Sequence, residues 1–268
     1  MISYLHSGSI YAPLLDIDMK TDDEAPVMAT DSQKRLVDYF HEFWRWVGDY
    51  DFVFDLGDST EGQNRKEFGE KLSSVRLIHQ IDNAERLLGP YFRGKKVWKV
   101  KGSRYHQGDN FSTDEELHRR YVSSGIDCDY VGILGNIELE GTGKRIQIRH
   151  GDGGKSVYFT QLIDRENGQL DMAEGRGDIR DDNGDPYHID AMLMGHHHRS
   201  VTVDFIRSKR ICHVNPCWKT WFPYRSGFHG EYVNPSIGGS RMIVTKKEIK
   251  IETITFPAPC IGTRIHKG

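Results

Sequence analysis

The stretch Ala191-Met-Leu-Met-Gly-His-His-His198 joins a short apolar run to a glycine and three consecutive histidines. Four apolar residues in a row, without alternation, are typical of a strand that is buried on both faces. Glycine after a strand lets the backbone turn sharply and come close to a bound ion or phosphate. Because this run is internal and follows an apolar strand, we interpret it as a site at a strand end and not as an expression tag.

Three other stretches have the same form, in which a strand-like run ends in a polar side chain beside a glycine. They are Asp51-Phe-Val-Phe-Asp-Leu-Gly-Asp58, the strand 96–101 with Gly102-Ser-Arg-Tyr-His106, and Arg145-Ile-Gln-Ile-Arg-His150 with Gly151. His6, which follows a short apolar stretch, makes a fifth. The intervals between them leave room for a further strand and a crossover, so we expect these strand ends to converge at one edge of a sheet.

The side chains at these positions are suited to binding a transition metal. Neutral imidazole together with carboxylate favours Zn, Mn or Fe over Ca or Mg alone. Taken singly, a Gly-Asp or His-Gly pair is usually structural, and histidine runs also occur in surface loops. Taken together, in this order and at strand ends, they predict a metal site.

Helices are predicted between the strands. Apolar residues recur at three- and four-residue steps after Asp31 or Ser32, which predicts an N-cap there and a helix to about Val47. A second helix is expected over about 64–88, ended by Gly89-Pro90.

The remaining pattern mixes helix and strand. A helix is predicted over 113–123, with acidic residues in its first turn. Residues 153–170 are ambiguous, 171–187 are expected to form a polar loop, and 201–257 are expected to be mainly β. This mixture favours a layered α/β fold, which we expect to form one domain over 1–268.

Composition limits the function and the compartment. The chain has 36 basic and 39 acidic side chains and a formal charge of −3, so no global positive field favours non-specific binding to nucleic acid. A metal site can still supply local positive potential. No secretory leader or membrane-spanning run is evident, which predicts a cytoplasmic protein that does not bind membranes. We expect free thiols at all four cysteines, Cys128, Cys212, Cys217 and Cys260.

The order of these motifs resembles that of the calcineurin-like metallophosphoesterases. Gly57-Asp58, His150-Gly151 and Gly195-His-His-His198 match the second, fourth and fifth motifs of that family. The resemblance extends from His6 to about Val244. It implies a four-layer α-β-β-α sandwich and the metal-dependent hydrolysis of a phosphate ester.

The resemblance also implies roles for individual residues. His6, Asp58 and His198 would hold one divalent metal ion. Asp58 would bridge to a second, held by His150 and His196, with Ser103 as a weak or water-mediated ligand. Mn is favoured, with Zn, Fe or Ni as alternatives. A metal-activated water would attack the ester while His106 protonates the leaving oxygen. Arg104 would contact the substrate phosphate, although an exposed arginine without such a role is the commoner case.

The third motif, Gly102-Ser-Arg-Tyr-His106, has serine where the family has asparagine and two extra residues before the histidine. It looks like a variant found in phosphoesterases of phage and prophage origin. That likeness favours a phosphodiester substrate, a nucleotide or nucleic acid, in the cytoplasm of a bacterial or phage-infected cell.

The first motif departs further, because Tyr4-Leu-His6 stands where Asp-Leu-His is expected. A neutral phenol is a poor ligand for a divalent ion. Three explanations are open: fewer ligands, a substitute acid such as Asp16, Asp55 or Asp152, or an inactivating change. We expect Tyr4→Asp to raise turnover.

Two alternative functions are left open. The chain could be a catalytically impaired relative that acts as a binding or structural component. It could also be a mononuclear hydrolase of another fold, in which case Asp58 and His150 would not converge on the triple histidine. A nearby aromatic group could stack on a base, although core or interface packing is favoured for it: Trp218, Trp221, Phe222 and Tyr224.

Overall fold

The computed structural model describes residues 1–3, 5–15, 27–63, 69, 71–107, 111–151, 159–181, 183–220 and 235–259. The helices among them are α1 (Asp31–Val47), α2 (Leu77–Phe92), α3 (Thr113–Ser123) and α4 (Phe159–Arg176). The strands are β1 (Phe52–Asp55), β2 (Lys96–Val100), β3 (Cys128–Gly132), β4 (Leu134–Leu139), β5 (Lys144–Arg149), β6 (Ala191–Met194), β7 (Val201–Phe205), β8 (Arg210–Val214), β9 (Ile237–Val244) and β10 (Ile249–Phe256).

The strands form two main sheets and a hairpin. The first sheet has the order β1-β2-β3 and is parallel throughout. The second has the order β4-β5-β6-β8-β7, with three parallel central strands and an antiparallel strand at each edge. The antiparallel hairpin of β9 and β10 is linked to the first sheet by the start of the chain, because Met1 donates to the Ser240 carbonyl and Ile2 bridges to Asp55 in β1.

Three apolar clusters separate four layers. The first cluster lies between helices α1–α3 and the first sheet, and the second between the two sheets. The third lies between the second sheet and α4. Strand β6 is buried on both faces of the second sheet. Ala191 and Leu193 pack toward the first sheet, while Met192 and Met194 pack toward α4. This double burial explains the unbroken apolar run in the sequence. The fold is therefore the layered α-β-β-α arrangement that the motifs implied.

Helix α1 begins one residue later than its cap, which is Thr30 and not Asp31 or Ser32 as the sequence predicted. The Thr30 hydroxyl accepts from the Gln33 backbone N–H, and the Gln33 side chain accepts from the Thr30 backbone N–H. This reciprocal pair is a capping box, worth about 1 kcal/mol of helix stability.

Helix α2 differs from the prediction at both ends. It begins at Leu77, and the preceding Leu72 instead forms an antiparallel bridge with Ser9. The predicted start over 64–68 lies outside the described residues. At its far end the helix continues through Pro90 to Phe92, because Pro90 lies in the last turn and removes only one intrahelical hydrogen bond. Burial of Phe92 in the first cluster stabilises that turn.

Helix α4 occupies part of the ambiguous stretch and part of the predicted polar loop, so the loop prediction is wrong for 171–176. Leu170 packs into the third cluster. The polar end is held by fully buried Arg210 of β8, which pairs with Asp171 at 2.7 Å and Glu174 at 2.6 Å. These long-range pairs stabilise a helical end whose composition alone favours a loop.

Two further expectations concern cysteines and membranes. Cys128, Cys212 and Cys217 are free, buried thiols, as predicted, and Cys260 lies outside the described residues. Among the described helices, none has the length and apolar character that crossing a membrane requires.

Candidate metal centre

The predicted site residues lie in loops that follow the strands. Asp58 comes after β1, and a single 3₁₀ turn after β2 carries His106. His150 follows β5, and the triple histidine follows β6. His6 is held beside the Asp58 loop by a hydrogen bond from its backbone N–H to the Asp58 carbonyl.

Asp58 lies at the centre of the site and is fully buried. Its Oδ2 is 2.9 Å from His150 Nε2 and 4.0 Å from His106 Nε2. Its Oδ1 accepts from the Ser103 backbone N–H at 2.7 Å, and the Ser103 hydroxyl lies 3.2 Å from both oxygens. Burial opposes the charge, but the neighbouring His150 and His106 outweigh it and lower the Asp58 pKa to about 2. Asp58 is thus held as a carboxylate.

His150 and His196 form the side of the site that we call the His150 half. His150 Nδ1 contacts the Leu56 carbonyl at 2.7 Å, so this nitrogen carries the proton and Nε2 is directed at Asp58. His196 Nδ1 lies 3.3 Å from that Nε2. Burial lowers the His150 pKa, but the Asp58 carboxylate outweighs it and raises the value above the usual one. The ligand atoms of Asp58, His150 and His196 all lie within 4.8 Å of one another.

His6, His106 and His198 form the other side, which we call the His6 half. His6 Nε2 lies 3.3 Å from His198 Nε2, and the rings of His6 and His106 are 4.4 Å apart. Burial, with nearby positive groups, lowers the pKa values of His6 and His198 well below normal, which keeps both imidazoles neutral. The ligand atoms of His6, Asp58 and His106 again lie within 4.8 Å of one another.

The donor sets fit divalent transition metals. Each group combines a buried carboxylate with two imidazole nitrogens, and this chemistry suits Zn, Mn or Fe. The Asp58 carboxylate belongs to both groups. The group of Asp58, His150 and His196 has the residues that the sequence assigned to one metal ion. The other group contains His106 in place of the predicted His198, which instead lies against His6.

Backbone strain is concentrated at the site. Among the described residues, the non-glycine positions with positive φ are His6 (49°), Asp58 (54°), His196 (75°), His198 (54°) and Lys209 (53°). A left-handed conformation costs a non-glycine residue about 1–3 kcal/mol and is retained where the surrounding structure over-determines it. Four of these positions carry candidate ligands, so the fold holds these side chains in place against a local cost.

Glycines allow the loops to pack closely. A Cβ on Gly102 would overlap the Asp58 Oδ1, and a Cβ on Gly57 would lie 2.8 Å from the Gly102 nitrogen. Gly57 also has a φ of 85°, which favours glycine. Both glycines are therefore required by the approach of the Asp58 loop to the loop after β2.

A buried ionic network centred on Lys99 stabilises these loops. Lys99 is fully buried, and its Nζ lies 2.8 Å from Asp55 Oδ2, 2.7 Å from Asp114 Oδ1 and 2.7 Å from the Ser59 hydroxyl. Asp114 also accepts from the Gly102 backbone N–H at 2.9 Å. Asp55 is thus engaged with Lys99, and it belongs to neither of the histidine–carboxylate groups found among the described residues.

Sequence reasoning missed two residues at the site. Glu61 is 2% exposed, and its Oε2 lies 2.8 Å from His6 Nδ1. Lys219 Nζ lies 2.7 and 2.8 Å from the two Glu61 oxygens. The Glu61 backbone carbonyl contacts His106 Nδ1 at 2.9 Å. Glu61 follows Asp58 closely in the chain, but Lys219 lies in the segment after β8 and no local pattern marks the pair.

The remaining predicted residues fall into three groups. Arg104 lies in the same 3₁₀ turn as His106 and is exposed. Trp218 is fully buried against Phe40 and Phe43, which confirms core packing for that ring. The others lie outside the described residues: Tyr4, Asp16, Asp152, Trp221, Phe222 and Tyr224.

The convergence bears on one of the alternatives. A mononuclear site on another fold required that Asp58 and His150 stay away from the triple histidine. In the structure both lie in one group with His196, so that expectation is wrong.

Comparison with known proteins finds only weak similarity to solved structures. No protein-family model and no curated protein sequence matches the chain. Among solved structures, it is similar to a conserved protein from Streptococcus pneumoniae that is described as a predicted phosphoesterase, with 14% identity, a TM-score of 0.37 and coverage of 88% of this chain and 86% of that chain. It is also similar to Vps29 from Chaetomium thermophilum, with 12% identity, a TM-score of 0.40 and coverage of 96% and 97%. A zinc complex of Vps29 from Entamoeba histolytica has 12% identity, a TM-score of 0.33 and coverage of 65% and 89%. Similarity of this degree carries no functional argument, so function is argued from the site.

Proposed function

We propose that this protein is a dinuclear metal-dependent phosphoesterase that hydrolyses a phosphodiester, a nucleotide or nucleic acid. The observation that carries the proposal is that two histidine–carboxylate groups share one residue, Asp58. A single carboxylate common to two adjacent ligand groups would help to hold both ions. Mn is the favoured metal, with Zn, Fe or Ni as alternatives.

The ligands are divided between the two halves. Asp58, His150 and His196 would hold one ion, with Ser103 orienting the Asp58 carboxylate through its two donors. His6 and Asp58, from the other group, would hold the second ion with His198, whose Nε2 lies 3.3 Å from His6 Nε2. The third member of that group, His106, is left for proton transfer. Two divalent ions held by these residues would supply Lewis acidity, which would polarise the phosphate ester and lower the pKa of a water molecule.

His106 is the residue we assign to proton transfer. Its Nδ1 contacts the Glu61 carbonyl at 2.9 Å, which places the proton on that nitrogen and directs Nε2 into the site. When Nε2 is also protonated, it can donate that proton to the oxygen of the leaving alcohol. General acid catalysis of this kind contributes about 10²- to 10⁴-fold in rate.

Among the described residues, the charges around the site favour a diester over a monoester. A phosphomonoester carries a second negative charge, which needs further cationic partners. Lys219 at the edge of the site is already paired with Glu61 at 2.7 Å, and Arg149 beside His150 is paired with Glu166 at 2.7 Å. Exposed Arg104 can contact the one charge of a diester from the same turn as His106.

Hydrolysis of a generic diester and a generic monoester tests the proposal. We expect bis(p-nitrophenyl) phosphate to be hydrolysed with Mn²⁺ and p-nitrophenyl phosphate to be a poorer substrate. Chelation should abolish the activity, and His106→Ala should lower kcat by about 10²- to 10⁴-fold. A chain that binds two Mn²⁺ ions but hydrolyses neither ester contradicts the proposal and favours a binding or structural component with an impaired site.

A further inference from the structure

Glu61 is a buried acid beside the His6 half of the site. Asp58 Oδ2 is 2.9 Å from His150 but 4.0 Å from His106. On the His6 side, Glu61 Oε2 lies 2.8 Å from His6 Nδ1 and 3.9 Å from His106 Nδ1.

Lys219 completes the arrangement on the other side of the carboxylate. Its ammonium contacts both Glu61 oxygens, at 2.7 and 2.8 Å, and its side chain is 19% exposed. A buried carboxylate is costly without a partner. Lys219 thus provides the counter-charge that allows Glu61 to remain behind His6.

We propose that Glu61, held by Lys219, is a positioning residue that adds negative charge to the His6 half, beside the charge of Asp58 that both halves share. A carboxylate behind a metal-binding imidazole fixes the ring and makes its other nitrogen a better donor. The other nitrogen of His6 is Nε2, which faces His198 at 3.3 Å. The inference rests on the proposed function only in requiring that both halves bind metal.

The chain offers a matched control away from the site. Glu174 also lies between an imidazole and a cation, 3.0 Å from His188 Nδ1 and 2.6 Å from Arg210 Nη2. Glu174 belongs to neither of the histidine–carboxylate groups found among the described residues. Removing its charge disturbs a similar ionic contact without touching a candidate ligand.

Calorimetric titration of the metal-free full-length chain with Mn²⁺ tests the inference without substrate. We expect two binding events in the wild type, the weaker one from the His6 half. Glu61→Gln should weaken that event by about 10- to 100-fold, the usual effect of losing such a partner, and leave the tighter event within about threefold. Glu61→Asp should retain most of the affinity, and Glu174→Gln should change neither event. Equal binding by wild type and Glu61→Gln overturns the inference, as does equal weakening by Glu61→Gln and Glu174→Gln.

Lys219→Gln provides a second variant in case Glu61→Gln does not fold. It removes the ammonium that holds the Glu61 carboxylate behind His6, so the weaker event should weaken while the tighter event stays within about threefold. Unchanged binding, or equal weakening of both events, overturns the inference. Failure of the proposed function is distinguishable, because it leaves both binding events in place while no ester is hydrolysed.

Discussion

The two halves of the site place their negative charge at different distances from the histidines. In the His150 half, Asp58 is in direct contact with His150, whose other nitrogen is fixed by the Leu56 carbonyl. In the His6 half, Asp58 Oδ2 is 4.0 Å from His106 Nε2, and Glu61 lies behind His6, on the nitrogen that faces away from His198. The attraction between a carboxylate and a cation falls with distance, so the shared Asp58 carboxylate contributes more on the side where it is in direct contact with an imidazole ligand. We therefore expect the His150 half to bind metal more tightly.

The largest effect is expected from Asp58→Asn, which removes the charge common to both halves. Loss of a residue that positions a metal ligand usually lowers metal affinity by about 10- to 100-fold. Loss of a shared ligand should therefore lower the affinity by more than about 100-fold at both sites. Mn²⁺ titration and diester hydrolysis measure this. Asp190→Asn, which alters an acid paired with Lys144 at 2.8 Å away from the ligand groups, is the control. A variant that retains one tight site would show that Asp58 is not shared.

Separate substitution of His150 and His6 should distinguish the halves. His150→Gln should abolish the tighter binding event, and His6→Gln only the weaker one. The reason is that each variant removes one imidazole ligand from a different group. Titration of both variants beside the wild type measures the difference. If the two variants lose the same binding event, the division into halves is incorrect.

Gly102→Ala tests the close approach of the loops. The added methyl would overlap the Asp58 Oδ1 and displace the shared carboxylate. We expect Mn²⁺ binding to weaken by about 10- to 100-fold at both sites, similar to loss of a positioning partner. Gly168→Ala is the matched control, since a Cβ there meets nothing within 4 Å and alanine favours its helix. Equal binding by the two variants would contradict the assigned packing.

Tyr4→Asp should have the smallest effect and the opposite sign. Tyr4 lies outside the described residues, so this prediction rests on the sequence. An acid at this position should strengthen the His6 half and raise Mn²⁺-dependent diester turnover by several-fold. Metal content and rate that both equal those of the wild type would contradict it.

Much of the fold and of the site could be predicted because the signals are local. Apolar runs that end in glycine and a polar side chain identified the strand ends at Asp58, His150 and His196, and the acidic first turn identified α3. The four-layer order was predicted from the resemblance of the motif order to that of the calcineurin-like metallophosphoesterases.

The rest depends on contacts between distant parts of the chain. Glu61 and Lys219 are paired across 158 positions, and no periodicity connects them. Helix α4 was missed because its polar end is stabilised by Arg210, a residue of another strand. The start of α2 was misplaced because residues before it pair with the loop after His6.

Mn²⁺ titration of the metal-free wild-type chain tests the central claim most directly. Two ligand groups that share Asp58 predict two bound ions per chain, the tighter of which is lost in His150→Gln. Binding of a single ion, or of none, would contradict a shared dinuclear centre.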